Sequence, residues 1–346
     1  MKSSTKPNVD PGMEPNAESS MQPNTEKRRD AHVRPGEDGT PPDAPRVAIV
    51  IVTYNSVDVL EGCLKSLTDG ARGAELTDVV IADNASEDDS LGIAERADGL
   101  PVRIVRLGRN AGYAAAVNAG VAALDLTRLN AVFVMNPDCR LRPCSLAVLA
   151  RSLREPRRGI AVPRLVNPDG SLQPSLRREP TVWRALAEAL IGGDRAGRIG
   201  PLGELVTDPL RYQAPGTAAW ATGAAMLIAT DLIRDIGPWD ESFFLYSEET
   251  EYALRAGDRG WSLWYEPTAV VEHIGGDSGV NPRLAAILAV NKVRLFRRRR
   301  GAPASVAYRL ALVLGEAVRA LTGRRTSRAV VLALLLPSRR IRALES

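Results

Sequence analysis

The chain of 346 residues is poor in several residue types on which whole classes of protein depend. Its three cysteines are too few for a disulfide framework, and their odd number argues against a secreted scaffold. Its two histidines leave little room for a histidine-rich metal site. No run reaches the ~18 consecutive apolar residues of a membrane-spanning helix, and the N-terminus has no apolar signal segment. We therefore predict a reduced, cytoplasmic protein.

Three glycine-rich signatures of nucleotide-binding and acyl-transfer enzymes are also missing. No Gly-x-Gly-x-x-Gly follows the first predicted strand, and the chain has neither a Gly-x-x-x-x-Gly-Lys-Ser/Thr loop nor a Gly-x-Ser-x-Gly elbow. The phosphates of a bound nucleotide then need another partner. A divalent cation held by carboxylates is the obvious one.

Charge is distributed unevenly along the chain. Residues 1–45 carry a net charge of −2 with eight prolines and no aromatic residue, which predicts a disordered tail. Residues 291–346 carry fourteen basic and two acidic side chains, a net charge of +12, and the total of +4 leaves −6 on residues 46–290. We expect a tail, a folded domain over 46–290 and a basic helical segment over 291–346.

The basic segment combines an arginine run with an amphipathic pattern. Its centre is Arg297 to Arg300, and apolar residues then recur at helical spacing: Val306, Leu310, Val313, Leu314, Ala317 and Leu321. Such a pattern suits an anionic membrane surface and predicts a peripheral protein on the inner face of the plasma membrane. The alternative is a helical pair that packs on the folded domain. Nucleic acid is a weaker candidate and is not expected as a partner, because few aromatics are available for base stacking.

Apolar runs typical of buried strands alternate with segments of helical period in the first half of the folded domain. The predicted elements are strands at 47–52, 78–82, 102–107 and 131–135, and helices at 57–67, 114–124 and 143–153. This alternation predicts an α/β fold with right-handed βαβ units and a mostly parallel sheet.

Polar residues follow the ends of these strands. They are Thr53, Asn55, Asp83, Asn84, Asn110 and Asp138. Because ligands of parallel sheets bind beyond the carboxyl ends of the strands, these groups predict one binding site. Asp83 is a candidate acceptor for a pyrimidine N3–H, and Asp138 is a candidate metal ligand.

The second half supplies further carboxylates and aromatic rings. Glu248, Glu249 and Glu251 crowd one helix start behind the candidate N-cap Ser247; one of them is expected to act as a general base, and acids that merely cap a helix are the alternative. A pair of strands at 263–267 and 269–273 leads to His273, which is expected to reach a metal beside Asp138. Four residues are candidates for the sugar or acceptor site: Gly223, in a run of small residues, and Trp220, Trp239 and Tyr246, whose rings core packing explains equally well.

Eight motifs in order resemble the family 2 glycosyltransferases of the GT-A fold, over about residues 46–296. They are VIVTYN (50–55), IADN (81–84), GRNAGYAAAVN (108–118), NPD (136–138), TGA (222–224), FFLYSEE (243–249), Gly260-Trp261 and His273. NPDGSLQPS (167–175) and WDESFF (239–244) look most similar to the rhamnosyltransferase-like branch, which includes enzymes adding rhamnose to polyprenyl-diphosphate-linked sugars. The resemblance implies a Rossmann-like, mostly parallel central sheet flanked by helices, here with C-terminal amphipathic helices.

The resemblance also implies roles for individual residues. The donor-nucleotide site would comprise Thr53, Tyr54, Asn55, Asp83, Asn84, Asn110, Gly112, Asn118 and Asp138. Asp138 and His273 would bind Mg²⁺ or Mn²⁺. Glu249 matches the catalytic base, in a pair that is Glu248-Glu249 here and Glu-Asp in the family.

The implied reaction is inverting transfer from a nucleotide-diphospho-sugar to a lipid-linked or glycan acceptor in cell-surface glycan synthesis. A galactofuranosyl- or hexosyltransferase of the same family is one alternative. A non-catalytic or degenerate nucleotide-sugar-binding protein is another. A nucleotidyltransferase is disfavoured, because Thr53-Tyr-Asn55 replaces the glycine-rich basic loop that normally follows its first strand.

Overall fold

The computed structural model of the protein describes residues 43–275 and 281–336. The tail predicted over 1–45 therefore lies outside the described residues except for its last three positions. The same holds for residues 276–280 of the folded domain and for the last ten residues of the basic segment.

Eleven strands are present in the described part of the chain. They are β1 (Arg46–Thr53), β2 (Glu75–Asp83), β3 (Val102–Arg106), β4 (Ala131–Met135), β5 (Cys139–Leu141), β6 (Arg158–Val166), β7 (Leu176–Arg177), β8 (Gly216–Ala218), β9 (Trp220–Ala221), β10 (Ala225–Ala229) and β11 (Ser262–His273). All but β7 and β9 form one sheet of order β3-β2-β1-β4-β10-β6-β11-β5, with β8 beside β11; β7 and β9 form a separate antiparallel pair.

The central sheet is mostly parallel, as the sequence predicts. Strands β3, β2, β1, β4, β6 and β11 share one direction, while β10, β5 and β8 run against their neighbours. In β1, Val47, Ile49 and Ile51 face one apolar core, and Ala48, Val50 and Val52 face the other. A strand buried on both faces has no polar side, which explains its unbroken apolar run.

Helices cover both faces of this sheet. They are α1 (Val57–Gly70), α2 (Ser90–Glu95), α3 (Tyr113–Ala122), α4 (Ser145–Ser152), α5 (Val182–Ile191), α6 (Gly193–Arg198), α7 (Thr230–Ile236), α8 (Glu248–Asp258), α9 (Pro282–Leu321) and α10 (Arg325–Leu335). Helices α1 and α4 pack on one face, α3 and α8 on the other. Small residues let α3 approach closely: a methyl group at Gly120 would lie 2.5 Å from a Val50 methyl.

The predicted pair of strands before His273 is wrong, because residues 262–273 form the single strand β11. Its register against β6 shifts between Glu266 and Val270. Pro267 lies at this shift and has no N–H to donate to the ladder, so the strand bulges there and then continues.

The basic segment forms a helical hairpin that docks on the folded domain. Helix α9 begins at Pro282, so the boundary predicted at residue 290 falls inside it, and it bends at Gly301, whose φ is 80°. Helix α10 returns against α9, and Val330 and Leu334 join its core. Among the described residues, we find no helix with both the length and the apolar character needed to cross a bilayer.

Three arginines of the run form ion pairs with the folded domain, and the membrane contact of the basic segment stays a prediction. Arg298 lies 2.6 Å from Asp240, Arg299 lies 2.7 Å from Asp258, and Arg300 lies 2.7 Å from Glu179. These three side chains fasten α9 to the folded domain. The apolar pattern beyond them is exposed, and Val306, Leu310, Leu314, Val318 and Leu321 form a stripe along the second half of α9.

Candidate active site

The carboxyl ends of β1 and β2 are joined through a buried carboxylate. Thr53 donates its hydroxyl to Oδ1 of Asp83 at 2.9 Å, and Ser86 donates its backbone N–H to Oδ2 at 3.0 Å. Asn55 lies on the same loop, where its Oδ1 accepts the N–H of Glu87 at 2.8 Å. The side chain of Tyr54 is 51% exposed. The polar ends of the two strands therefore lie together, as the sequence predicts, with an exposed aromatic ring beside them.

Asn84 shapes the next turn instead of facing open solvent. It is buried; its Oδ1 accepts the N–H of Ala111 and its Nδ2 donates to the carbonyl of Gly112, both at 3.2 Å. Asn110 is exposed at this turn, and its Oδ1 accepts the N–H of Gly112. Gly112 has a φ of 91°, and a methyl group there would lie 2.3 Å from the carbonyl oxygen of Phe244. The turn thus requires glycine for its backbone conformation and for its close approach to the loop before α8.

Asn118 holds a distant loop with all of its amide group. Its Oδ1 accepts the N–H of Trp239 at 2.9 Å, and its Nδ2 donates to the Trp239 carbonyl at 3.0 Å and to Glu241 at 2.9 Å. This is a positioning contact between α3 and residues 239–241. Each polar atom of the side chain thus has a partner within the protein, and its role in the donor-nucleotide site stays a prediction.

Asp138 and His273 meet where β5 pairs with β11. The antiparallel register sets His273 opposite Cys139, and Nε2 of His273 lies 3.4 Å from Oδ2 of Asp138. The other carboxylate oxygen of Asp138 is buried and has no hydrogen-bond partner in the described part of the chain. An imidazole nitrogen beside a carboxylate with an unpaired oxygen fits a divalent cation of the Mg²⁺ or Mn²⁺ type.

Gln173 orients this histidine. It stands in the motif NPDGSLQPS, which alone indicates no role for it. Its Nε2 donates to Oδ1 of Asn167 at 3.0 Å, which turns its Oε1 toward Nδ1 of His273 at 2.6 Å. Nδ1 therefore carries the proton, and Nε2 presents its lone pair on the Asp138 side. Such an outer hydrogen bond is typical of metal-binding histidines.

Cys139 belongs to the same cluster by distance but not by chemistry. Its Sγ, Asp138 and His273 offer ligand atoms within 4.8 Å of one another. The thiol is buried and donates to the carbonyl of Ala224 at 3.2 Å. Burial and then the charge of Asp138 raise its pKa well above the usual value, so it remains a thiol. A structural role for Cys139 is consistent with this environment.

The three glutamates at the start of α8 have three different environments. Glu251 pairs with Arg255 at 2.9 Å. Glu248 and Glu249 each have a buried Oε2 without a hydrogen-bond partner among the residues described. Burial raises the pKa of both; for Glu248 the charge of Glu249 adds to this, whereas the Arg177 cation lowers the pKa of Glu249. Backbone N–H groups at this helix start lower the pKa of Glu248 and Glu249 in part, so helix capping and a general-base role both stay predictions for these two acids.

The backbone before these glutamates is strained. Tyr246 and Ser247 have φ values of 66° and 76°, which non-glycine residues adopt only at a cost. The Ser247 side chain makes no capping hydrogen bond, so the predicted N-cap interaction is absent here. The strain lies directly beside Glu248, where it sets how the two carboxylates enter the site.

Residues 223–224, between β9 and β10, lie between the glutamates and the cluster of Asp138, Cys139 and His273, called the metal cluster below. A methyl group on Gly223 would lie 3.1 Å from Cβ of Glu249, so this residue leaves space for the glutamate. Its carbonyl accepts the Tyr113 hydroxyl at 3.3 Å, and the carbonyl of Ala224 accepts the Cys139 thiol. Burial, and then the charges of Glu248, Cys139, Glu249 and Asp138, raise the pKa of Tyr113 well above its usual value. The Tyr113 hydroxyl therefore lies near both the glutamate pair and Asp138.

The two tryptophans proposed for sugar stacking are core residues. Trp239 stacks on Tyr252 with ring centroids 4.8 Å apart, and Trp220 donates its Nε1–H to the carbonyl of Arg178 at 3.1 Å. Both are buried. Tyr246 is partly exposed and remains a candidate for the sugar site.

Two kinds of comparison place the chain among known proteins. The sequence model of "Glycosyl transferase family 2" matches residues 48–202. The chain is 31% identical over 245 residues to N-acetylglucosaminyl-diphospho-decaprenol L-rhamnosyltransferase of Mycobacterium tuberculosis, a match that covers 68% of this chain and 78% of that protein. It is 27% identical over 212 residues to the low-salt glycan biosynthesis hexosyltransferase Agl10 of Haloferax volcanii, covering 61% of each chain.

Solved structures support the fold. The mannosyltransferase PcManGT of Pyrobaculum calidifontis, solved with GDP-Man and Mn²⁺, has a TM-score of 0.53 and 17% identity, with 91% of this chain and 86% of that chain covered. GalNAc-T7, solved with UDP, GalNAc and Mn²⁺, has a TM-score of 0.50 and 15% identity over 76% of this chain, which spans about half (52%) of that protein. These likenesses confirm the GT-A fold. The protein belongs to glycosyl transferase family 2 and is a glycosyltransferase.

Proposed function

We propose that the protein transfers a deoxyhexosyl residue, rhamnose in the first instance, from a nucleotide-diphospho-sugar to a sugar carried on a polyprenyl diphosphate. The carrying observation is the continuous contact between the carboxylate pair and the metal cluster through Gly223 and Ala224. The 31% identity with an enzyme named for rhamnosyl transfer to a decaprenol-linked sugar supports the choice of donor and acceptor.

Glu249 is the better base of the two buried glutamates. The charge of Arg177 favours its ionised form, whereas the charge of Glu249 disfavours ionisation of Glu248. A carboxylate whose pKa burial has raised binds a proton more strongly than an exposed one. Glu249 is therefore the proton acceptor of this proposal, with Glu248 beside it.

The reaction is a single displacement at the anomeric carbon. Glu249 takes the proton of the acceptor hydroxyl, and the oxygen forms a bond to the anomeric carbon on the face opposite the diphosphate. The bond from that carbon to the diphosphate oxygen breaks, and the nucleoside diphosphate leaves with the electron pair. Attack from the opposite face inverts the configuration.

The donor site uses the edge formed by β1 and β2. Hydrogen bonds from Thr53 and Ser86 fix the Asp83 carboxylate, which keeps acceptor capacity for a base N–H. Tyr54 is exposed beside it for contact with the base. Asp138 and His273 would hold Mg²⁺ or Mn²⁺, which supplies positive charge to the donor diphosphate when bound.

A membrane-linked acceptor fits the exposed stripe of α9. Leu310 is 59% exposed between Val306 and Leu314, and apolar side chains in one line are suited to insertion between lipid headgroups. We propose that this stripe, rather than the docked arginine run, holds the protein at the inner face of the plasma membrane. Flotation of the full chain with phosphatidylglycerol vesicles tests this, and Leu310→Ser/Leu314→Ser should reduce the bound fraction severalfold.

The test of the function is turnover with defined substrates. The full chain is incubated with Mg²⁺ or Mn²⁺, a short-chain polyprenyl-diphosphate-GlcNAc, and dTDP-rhamnose, UDP-sugars or GDP-mannose in turn. Mass spectrometry should find a product 146 Da heavier with dTDP-rhamnose, as expected from addition of a deoxyhexose (~146 Da). A product with another donor alone would reassign the sugar. No product and no donor-induced thermal shift on folded protein would overturn the proposal.

A further inference from the structure

A cavity of about 740 Å³ beside the candidate active site is lined by five arginines. They are Arg177, Arg178, Arg184, Arg198 and Arg211. The cavity lies between β7, the start of α5, the end of α6 and residues 200–219. Its lining includes none of Thr53, Asp83 and Asp138, so it is separate from the donor edge.

Five cations outnumber the two acids that line this cavity. The charges of Glu204, Glu249 and Glu188 also act on Arg177, the most buried of the five. None of the five guanidinium groups forms an ion pair in the described part of the chain, and the side chains of Arg198 and Arg211 make no hydrogen bond there. The lining contains two acids, but Glu179 pairs with Arg300 at 2.7 Å and Asp208 accepts the N–H of Leu210 at 3.0 Å. Burial, and then the neighbouring cations Arg184 and Arg211, lower the pKa of Arg178. An anion is the ligand that such a cavity lacks.

The cavity adjoins the catalytic base through Arg177. Its guanidinium lowers the pKa of Glu249, and it lies on β7, paired with Trp220 of β9. Gly223, against which Glu249 packs, follows shortly after Trp220. Arg177 therefore links the lining of the cavity to Glu249.

Exposed apolar side chains are the sequence neighbours of the lining residues. Trp183 (78% exposed) precedes Arg184, Leu202 follows Pro201, and Leu210 (69% exposed) precedes Arg211. On the other side of α5, Leu190 and Ile191 line a groove with Val318 of α9, which belongs to the exposed stripe. A charged cavity with an apolar rim suits a ligand that joins a phosphate group to a hydrocarbon chain.

We propose that the arginine cavity binds the diphosphate group of the lipid-linked acceptor and that the prenyl chain leaves over Trp183, Leu202 and Leu210. This inference rests on the proposed function, because it names where the acceptor of that reaction is held. Guanidinium groups bind phosphate oxygens in pairs, so several arginines around one diphosphate give both affinity and orientation. Binding there brings the sugar next to the diphosphate within reach of Glu249.

Farnesyl diphosphate is the probe, and its dissociation constant for the full chain is measured by calorimetry. The variant is Arg198→Gln/Arg211→Gln, because both side chains are exposed and make no hydrogen bond in the described structure. The control is Arg151→Gln/Arg154→Gln. Both arginines precede β6 in the chain, are exposed, and form no ion pair with any described residue. We expect at least tenfold weaker binding in the variant and no change in the control, with an unchanged thermal shift by dTDP-rhamnose in both.

Three outcomes of the binding measurements would overturn the inference. They are equal binding of farnesyl diphosphate by variant and wild type, no binding by the wild type, and loss of phosphatidylglycerol vesicle binding in the variant while farnesyl diphosphate binding persists. The last outcome would assign the cavity to lipid headgroups. Failure of the proposed function is distinguishable: the wild type would then bind farnesyl diphosphate through the cavity but form no product with any donor. Turnover with the same KM in variant and wild type would instead refute the cavity alone.

Discussion

Nε2 of His273 lies 3.4 Å from the Asp138 carboxylate, and Gln173 holds the opposite ring nitrogen at 2.6 Å. The three residues come from distant parts of the chain. Asp138 meets His273 because β5 pairs with the end of β11, and Gln173 reaches it because β6, to which Gln173 is hydrogen-bonded, pairs with β11 on the other side. The outer hydrogen bond fixes both the orientation and the tautomer of the imidazole. Metal binding at this site therefore depends on a residue that would not itself touch the cation.

Replacement of Gln173 by leucine tests this dependence. The variant keeps the volume but cannot accept the Nδ1 proton, so we expect Mn²⁺ affinity to fall by about 10–100-fold. The measurement is a Mn²⁺ titration followed by thermal shift in the presence of a nucleoside diphosphate. Gln213→Leu, at an exposed glutamine, is the matched control. Equal affinities in both variants would show that Gln173 is only a packing residue.

Substitution of three glutamates of the same helix tests the identity of the base. Glu249→Gln removes the proton acceptor, so we expect kcat to fall by about 10²–10⁴-fold, the usual range for loss of a general base. Donor binding, measured by thermal shift, should be unchanged. Glu251→Gln affects only the pair with Arg255 and should keep most of the activity. If Glu248→Gln abolished turnover while Glu249→Gln did not, the assignment within the pair would be reversed.

The central sheet and the position of the site follow from sequence because they depend on local patterns. The apolar run of β1 alternates between two cores, and no partner strand must be known to recognise it. The polar ends at Thr53 and Asp83 then converge by the geometry of parallel strands. The parallel pairing and the convergence of these two strand ends are confirmed, whereas their role in binding stays a prediction.

Other roles depend on tertiary contacts that no local pattern carries. Asn118 has its amide on the backbone of Trp239, and Gln173 contacts His273, in each case across 100 residues or more. The ion-pair partners of Arg298, Arg299 and Arg300 are likewise far away in sequence, at Asp240, Asp258 and Glu179. A side chain's partner can be read from sequence only when the fold that joins them is known.

The buried carboxyl pair predicts an unusual pH dependence of stability. The pKa of Glu248 is raised in the folded state, so folding takes up a proton, and stability decreases as pH rises from the unfolded pKa toward the folded one. Glu248→Gln removes this titration. Its Tm should exceed that of the wild type at pH 7.5, and the difference should shrink as pH falls toward 4.5. A difference independent of pH, measured by calorimetry from pH 5 to 8, would contradict the raised pKa.

The glycine of the Asn-Ala-Gly turn can be separated from glycine at an ordinary turn. Gly108 and Gly112 both have positive φ, but a methyl group at Gly108 meets no described atom within 4 Å, whereas one at Gly112 meets the carbonyl of Phe244. Gly108→Ala should cost about 1 kcal/mol of unfolding free energy. Gly112→Ala should cost at least about 2 kcal/mol more, since the backbone must move, and should lower kcat with it. Urea unfolding measures the first difference, and equal costs would refute the close approach.

A further ion pair lies beneath α9, where the helix packs on the folded domain. Lys292 lies 3.1 Å from Glu204, which is nearly buried, and Glu188 receives the backbone N–H of Glu204 at 2.6 Å. Burial alone would lower the pKa of Lys292, but the nearby Glu204, Tyr308 and Glu188 together raise it above its usual value. Lys292→Met would leave the Glu204 carboxylate without its cation, so we expect a loss of about 3 kcal/mol.

Arg297 provides the control for this prediction, because it lies on the same helix and makes no ion pair with any described residue. Arg297→Met should change the unfolding free energy by less than about 0.5 kcal/mol. Limited proteolysis gives a second readout: release of α9 in Lys292→Met should expose sites in residues 282–300 before the central sheet is cut. Identical proteolysis of the two variants would mean that the ion pairs of Arg298, Arg299 and Arg300 suffice to hold the helix. Compared with Lys292→Met, the double variant Lys292→Met/Glu204→Leu should recover part of the lost unfolding free energy, because an apolar pair replaces two buried charges.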